Sequence, residues 1–263
     1  MTDERRTNPA RRAAVRIGGQ TIGPGRPVYV VAEAGVNHDG DAERALRLVD
    51  IAAQAGADAV KFQVFQADRL ASSCAETAGY QKQTGARSQR DMLQRLELGD
   101  DALARVRQRC QARGLELLAT PFGVEDVDRL LALRVPAIKI ASTDLNNLPL
   151  LERAVATDLP LIVSTGAARR TEILDAVERF RRWQATPRLI LLHCVSCYPT
   201  PLEAANLRAI RSLHELSGVP CGFSDHTIST QTGAWAVAAG ACVLEKHFTY
   251  DRTASGPDHA MSL

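Results

Sequence analysis

Short apolar runs recur eight times along the chain, and polar residues end or follow almost every one of them. The runs have the length of strands, and their nearly unbroken apolar character is typical of strands buried on both faces of a parallel sheet. Amphipathic or alanine-rich segments lie between them and predict helices. The predicted strands are residues 28–32, 59–64, 115–121, 137–142, 160–165, 189–194, 222–227 and 243–249.

Eight strands separated by seven helical segments predict an α/β fold of the (β/α)8 TIM-barrel type. We expect residues 27–263 to form this barrel, and residues 1–26 to form a polar tail with a short hairpin that could plug one end of it. The alternative is a doubly wound open sheet. Such sheets normally carry a Gly-x-Gly-x-x-Gly turn after an early strand, and the sequence has none.

Composition and charge narrow the class of protein. The length of 263 residues and an apolar content of 45% suit one large domain with a full core. The net charge is +2, and the arginine cluster within residues 5–12 belongs to the polar tail, so we expect no nucleic-acid partner. No apolar run reaches the roughly 18 to 20 residues that span a bilayer, so we expect no membrane association. Six scattered cysteines predict reduced thiols in a cytoplasmic protein.

Residues 65–88 form a long stretch with an irregular, polar pattern. In a compact domain, a loop of this length is usually a functional lid or a substrate loop. A surface loop without a functional role is the alternative.

Two lysines lie inside apolar strands, Lys61 in the second and Lys139 in the fourth. A buried ammonium group without a partner is costly, so each lysine must either meet an anion or reach the exposed tip of its strand. The hydroxyls of Thr120, Ser142 and Ser224 lie at other strand ends and would supply neutral donors. The pair favours capture of a dianion such as a phosphate or a phospho-carboxylate. A lysine that acts as a Schiff-base nucleophile is the alternative.

Two histidines lie near the ends of the last two predicted strands, His226 and His247. Both imidazoles would lie at the C-terminal edge of adjacent strands, close to carboxylates, and such a pair suits a divalent ion of the manganese or zinc kind. His193 is explained equally well as a hydrogen-bonded core residue or as part of the site. His38 and His259 lie in predicted loops and could line the mouth of the same site at the C-terminal edge of the barrel.

Nine short motifs follow one another through the chain. They are residues 32–40 (AEAGVNHDG), 61–63 (KFQ), 119–122 (ATPF), 139–142 (KIAS), 164–166 (STG), 193–199 (HCVSCYP), 224–227 (SDHT), 245–249 (EKHFT) and 256–259 (GPDH). In this order, they resemble the N-acetylneuraminate (sialic acid) synthase family.

The resemblance implies a metal-dependent condensation of phosphoenolpyruvate with an open-chain N-acylated amino sugar, N-acetylmannosamine or a relative. The products would be a nine-carbon 2-keto acid and phosphate. The resemblance also implies Mn²⁺ or Mg²⁺ as the cofactor and a homodimer as the assembly. By motif, His226 and His247 would be the metal ligands, and Lys61, Thr120, Lys139, Ser142, Ser196 and Ser224 would hold phosphoenolpyruvate. Gln63, Tyr198 and Asp258 would face the sugar, and Glu33 and Asp258 are candidates for proton transfer.

The chain departs from the family pattern in two places. Many members have a glutamate after the Lys-Ile-x-Ser motif, where this chain has the shorter Asp144, which we assign to the sugar site. The sequence also stops at Leu263, before the barrel's last helix and the family's C-terminal antifreeze-like domain, which in the dimer supplies an arginine to the partner's sugar site. We therefore expect weak stability or oligomerisation, with reduced sugar affinity. A truncated barrel that binds phosphoenolpyruvate and metal without turnover is the alternative function.

Overall fold

The computed structural model describes residues 13–72 and 88–263. Its strands are β1 Val15–Ile17, β2 Gln20–Ile22, β3 Tyr29–Gly35, β4 Ala59–Val64, β5 Glu116–Pro121, β6 Ile138–Ile140, β7 Leu161–Ser164, β8 Leu189–Cys194, β9 Cys221–Asp225 and β10 Val243–His247. Strands β3 to β10 form a closed barrel in sequence order, with β10 paired to β3, and every pairing in the barrel is parallel. The predicted (β/α)8 TIM barrel is confirmed.

Helices surround the barrel and cover the outward-facing residues of its strands. They are α1 Ala42–Gln54, α2 Ala67–Leu70, α3 Gln89–Arg95, α4 Asp100–Arg113, α5 Val124–Ala132, α6 Leu148–Val155, α7 Arg170–Arg182, α8 Arg208–Ser217 and α9 Thr232–Ala238. In the described ranges, a 3-10 turn at His259–Met261 is the only helical element after β10. No helix in the same ranges is long and apolar enough to cross a membrane.

The irregular segment predicted at residues 65–88 is described only in part. The short helix α2 occupies its beginning, and α3 starts directly after it. Residues 73–87 lie outside the described residues, so the lid stays a prediction.

A β-hairpin closes the N-terminal end of the barrel. Strands β1 and β2 pair antiparallel, and Val15, Ile17 and Ile22 are almost fully buried. These side chains share one apolar cluster with interior residues of the barrel, among them Tyr29 and Ile190. The hairpin predicted from the sequence therefore forms and fills this end, while the division of the chain into residues 1–26 and 27–263 stays a prediction.

Alternate residues of each barrel strand point into the interior, and their character changes along the strand. On β3, Tyr29 and Val31 belong to the apolar interior cluster, whereas Glu33 lies in a cavity above it. On β10, Val243 belongs to the cluster, and Glu245 lies in the cavity. Because side chains two residues apart in a strand share a face, the interior is apolar at one end and polar at the C-terminal end.

Candidate active site

A cavity of about 780 Å³ opens at the C-terminal edge of the barrel. Strand ends and the loops after them form its wall. All predicted site residues except Asp144 line it: Glu33, Lys61, Gln63, Thr120, Lys139, Ser142, Ser196, Tyr198, Ser224, His226, His247 and Asp258. The barrel thus gathers residues from six strands, from the segments after β6, β8 and β9, and from the C-terminal segment into one space.

Asp144 lies outside the cavity wall, in the 3-10 turn Ser142–Asp144. Its Oδ1 accepts a hydrogen bond from Asn147 Nδ2 over 2.9 Å, and burial raises the pKa of its carboxyl. The neighbouring Thr143 lines the cavity instead. The expected sugar contact of Asp144 stays a prediction, and it requires the carboxylate to leave Asn147.

Lys61 is buried at the floor of the cavity and is paired with protein carboxylates. Its Nζ lies 2.5 Å from Glu33 Oε2 and 3.7 Å from Glu245 Oε2, and it donates to Thr120 Oγ1 over 3.1 Å. Burial by itself would lower the pKa of Lys61, but the charges of Glu245 and Glu33 outweigh it and raise the pKa. The ammonium group therefore stays charged.

Lys139 lies on the other side of Glu245. Its Nζ is 3.6 Å from Glu245 Oε1 and donates to Ser164 Oγ over 2.7 Å and to the Ile140 carbonyl over 3.0 Å. Burial lowers the pKa of this lysine. Burial also disfavours the charge on Glu245, yet Lys139 and Lys61 together lower the pKa of Glu245 to about 2. The sequence had suggested bound anions as partners for the lysines, and in the structure the chain supplies carboxylates.

Two further carboxyl groups in the cavity hold protons more tightly than usual. Burial raises the pKa of Glu33 to about 7 and that of Asp258 to about 6. A Cβ atom added at Gly35, where φ is +53°, would lie 3.3 Å from Asp258 Oδ2 and 3.4 Å from Glu33 Oε1, so the two carboxyl groups approach the same point of the backbone. Groups with such pKa values in a cleft are candidates for acid and base catalysis.

The rings of His226 and His247 lie side by side above this floor, with 6.0 Å between their centroids. His226 Nδ1 donates to the Val195 carbonyl over 2.6 Å, which leaves a lone pair on Nε2 of the neutral ring. His247 Nδ1 is buried and has no hydrogen-bond partner. Burial lowers the pKa of both imidazoles, that of His247 strongly, so both are neutral near pH 7.

Neutral imidazoles that face a polar cavity could hold a metal ion. Among residues 13–72 and 88–263, no three His, Cys, Asp or Glu side chains form a preassembled metal site. The unpartnered, buried nitrogen of His247 and the lone pair of His226 nevertheless fit a divalent ion. Such an ion would need further ligands from water or substrate.

The other histidines have structural surroundings. His193 Nε2 donates to the Ala205 carbonyl over 2.9 Å, and its ring stacks on Phe223, which agrees with the core interpretation. His38 and His259 are fully buried, and neither lines the cavity, so the expectation that they line its mouth is wrong. His259 instead binds Asp39 with Nε2 over 3.1 Å, and its Nδ1 lies 2.5 Å from Thr249 Oγ1. These bonds fix the segment that carries Asp258.

Among the cavity residues without a predicted role are Glu245, Ser164 and Cys194. The strand period could have found Glu245, because it lies two residues before His247 and faces the same side. Cys194 Sγ is 3.1 Å from Ser142 Oγ, at the end of β8. Helix α3 adds an apolar part of the wall that includes Met92, and no motif predicted it.

Comparison with known proteins finds a matching family model and several similar proteins. The sequence model of the NeuB family matches residues 48–263. The chain is 40% identical over 240 residues to the N,N'-diacetyllegionaminic acid synthase of Legionella pneumophila, which covers 89% of this chain and 67% of that protein. It is 42% identical over 241 residues to the N,N'-diacetyllegionaminic acid synthase of Campylobacter jejuni, with 90% and 72% covered.

A solved structure gives the same result. The N-acetylneuraminic acid (sialic acid) synthetase of Leptospira borgpetersenii superposes with a TM-score of 0.86 at 36% identity, over 96% of this chain and 84% of that one. The family match covers most of the chain, and the fold and the ordered motifs agree with it. This chain therefore belongs to the NeuB family.

Proposed function

We propose that this chain condenses phosphoenolpyruvate with an open-chain N-acylated amino hexose, N-acetylmannosamine or a relative, to give a nonulosonic acid and phosphate. The observation that carries the proposal is the buried pair Lys61 and Lys139 at the floor of a cavity whose wall also holds two neutral imidazoles. C3 of phosphoenolpyruvate would form the new bond to the aldehyde carbon. Water would add at C2, and the bond between C2 and the phosphate oxygen would then break.

The floor of the cavity offers the groups that a phosphorylated carboxylate needs. The two ammonium groups supply charge, and Thr120, Ser142 and Ser224 supply hydroxyls beside them. At Gly166, an added Cβ would lie 2.6 Å from Ser196 Oγ and 2.9 Å from Ser142 Oγ, so only glycine lets these hydroxyls approach the backbone. Gly166 N also donates to Ser142 Oγ over 3.0 Å, which orients that hydroxyl.

Glu33 and Asp258 would handle the protons. With pKa values of about 7 and about 6, each exists in both protonation states near neutral pH. In our proposal, the protonated carboxyl of one delivers a proton to the oxygen of the attacked aldehyde. The carboxylate of the other accepts a proton from the water that adds at C2. Gln63 and Tyr198, at the mouth, would orient the sugar.

We further propose that His226 and His247 bind a divalent cofactor, Mn²⁺ or Mg²⁺. When bound, such an ion supplies Lewis-acid polarisation of the sugar aldehyde. Of the two ions, Mg²⁺ prefers oxygen ligands more strictly, so the imidazole pair favours Mn²⁺. The buried, unpartnered nitrogen of His247 supports this assignment.

The test is a turnover assay with MnCl₂, phosphoenolpyruvate and either N-acetylmannosamine or a 2,4-diacetamido hexose. We expect one phosphate released for each nonulosonic acid detected by mass spectrometry. K139M should abolish release, whereas R211M, which removes an exposed cation on α8 outside the cavity, should retain it. Binding of phosphoenolpyruvate without phosphate release from either sugar would favour the non-catalytic alternative. Borohydride trapping of a pyruvate adduct on Lys61 or Lys139 would favour the Schiff-base alternative.

A further inference from the structure

The carboxylate of Glu245 lies between the two lysines of the cavity floor. One oxygen is 3.7 Å from Lys61 Nζ, and the other is 3.6 Å from Lys139 Nζ. Ser224 Oγ donates to Oε1 over 2.8 Å and holds the carboxylate in this position. The Glu245 side chain is 6% exposed and the lysine side chains are 5% and 4% exposed, so water screens these charges weakly.

We propose that Glu245 is a positioning residue that holds Lys61 and Lys139 in place and acts as a built-in counter-charge that weakens phosphate binding. This inference rests on the proposed function, in which phosphate is a product that must leave. Without a counter-charge, two buried ammonium groups would bind a phosphate dianion tightly and release it slowly. Glu245 keeps both lysines in place at the floor of the cavity while it reduces their attraction for the phosphate product.

The balance of charges supports this role. When all four groups are ionised, Lys61 and Lys139 are matched by Glu33 and Glu245, so the floor carries no net charge toward an anion. Loss of the Glu245 charge would leave two cations against one carboxylate. The affinity for an incoming anion would then rise because the buried site has a low effective dielectric constant.

The charge of the carboxylate disfavours a direct contact with phosphate. An ionised carboxylate has only acceptor oxygens, and it could meet phosphate only through a P–OH group and against the repulsion of two like charges. Glu245 therefore acts on phosphate through the lysines that it touches, and not as a ligand of its own.

The experiment measures binding of inorganic phosphate to metal-free protein in EDTA by calorimetry at fixed ionic strength. We expect E245Q to bind phosphate at least about tenfold more tightly than the unmodified chain, because the substitution removes one buried negative charge beside the site. E215Q removes an exposed carboxylate on α8 and should leave the dissociation constant unchanged. Equal or weaker phosphate binding by E245Q would overturn the inference.

Two further measurements keep the test decisive if E245Q is unstable. Phosphate should raise the melting temperature of E245Q more than that of the unmodified chain. E245D, in which the charge withdraws from the lysines by one methylene, should also bind phosphate more tightly, by a smaller factor. A smaller phosphate-dependent rise in E245Q, or weaker binding by E245D, would count against the inference.

Turnover separates this inference from the proposed function. In E245Q, the inhibition constant for phosphate and kcat should both fall while KM for phosphoenolpyruvate does not rise. A purely structural defect would instead raise both KM and the inhibition constant. Tighter phosphate binding by a chain that turns over no sugar would refute the proposed function alone. Turnover with unchanged phosphate inhibition would refute the role of Glu245 alone.

Discussion

Lys246 Nζ donates a hydrogen bond to Asp225 Oδ2 over 2.7 Å, and the two residues are register partners on β10 and β9. Asp225 is 3% exposed and also accepts from the Thr227 amide over 2.8 Å. Each partner directly precedes a histidine of the site, because His247 follows Lys246 and His226 follows Asp225. The pair thus fixes the register in which the two imidazoles lie side by side.

Removal of one partner of the Lys246–Asp225 pair should lower the free energy of unfolding. K246M leaves the buried Asp225 carboxylate without its cation, and we expect a loss of about 3 kcal/mol in the free energy of unfolding, measured by urea denaturation. R211M breaks the exposed pair Arg211–Glu215 and should cost less than about 1 kcal/mol. An equal effect of both substitutions would show that the buried pair does not stabilise the register.

Metal affinity should depend on the two cavity histidines. Loss of an outer-shell partner alone costs about 10- to 100-fold in metal affinity, so we expect H226A and H247A each to weaken Mn²⁺ binding by at least about 100-fold in a calorimetric titration. H214A removes an imidazole that binds the Val219 carbonyl, and it should not change the affinity. Mn²⁺ binding that survives in H226A and H247A would place the metal elsewhere.

A methyl group at Gly166 should displace the hydroxyls of Ser142 and Ser196, which lie against the Gly166 backbone and which we call the hydroxyl cradle. The added Cβ would lie 2.6 Å from Cys194 Sγ and from Ser196 Oγ, and both side chains would have to move. We expect G166A to weaken phosphoenolpyruvate binding by about tenfold or more, equivalent to 1.4 kcal/mol. G99A is the matched control, because no atom lies within 4 Å of its Cβ. Unchanged binding in G166A would exclude this cradle from the phosphate site.

The contribution of Asp258 to stability should fall as pH rises from 5 to 7.5. The pKa of Asp258 is raised from 3.8 to about 6 in the folded chain, so the protonated form stabilises the fold below 3.8, and this stabilisation is lost as pH rises through 6. In EDTA, the free energy of unfolding of D258N should fall by about 1 kcal/mol less than that of the unmodified chain across this pH window. D251N changes an exposed aspartate whose pKa is lowered and should follow the unmodified chain there. Identical pH profiles for D258N and the unmodified chain would contradict the raised pKa.

Patterns along the strands predicted the barrel and most of its cavity. Apolar runs located the strands, and the polar residues at their ends, such as Lys61 and His226, converge because parallel strands end at one edge. The partners of these residues were not predictable, since the contact of Lys61 with Glu33 depends on the register of β3 and β4, and its contact with Glu245 depends on closure of the barrel between β10 and β3.

Local bonds explain the other differences between sequence and structure. Asn147 holds Asp144 away from the cavity, and Asp39 draws His259 into the interior. Neither bond follows a repeating pattern in the sequence. The homodimer, the identity of the metal and the cytoplasmic location remain predictions.

The hairpin at the N-terminal end gives the barrel the shape of a cup. In the described part of the chain, the lysines lie at the floor of this cup, and Tyr198, which is 42% exposed, lies at its rim. A molecule bound at the rim would block the path to the floor. If the proposed function holds, binding should therefore follow a compulsory order, in which the phosphorylated substrate enters before the sugar and phosphate leaves only after the molecule at the rim has left.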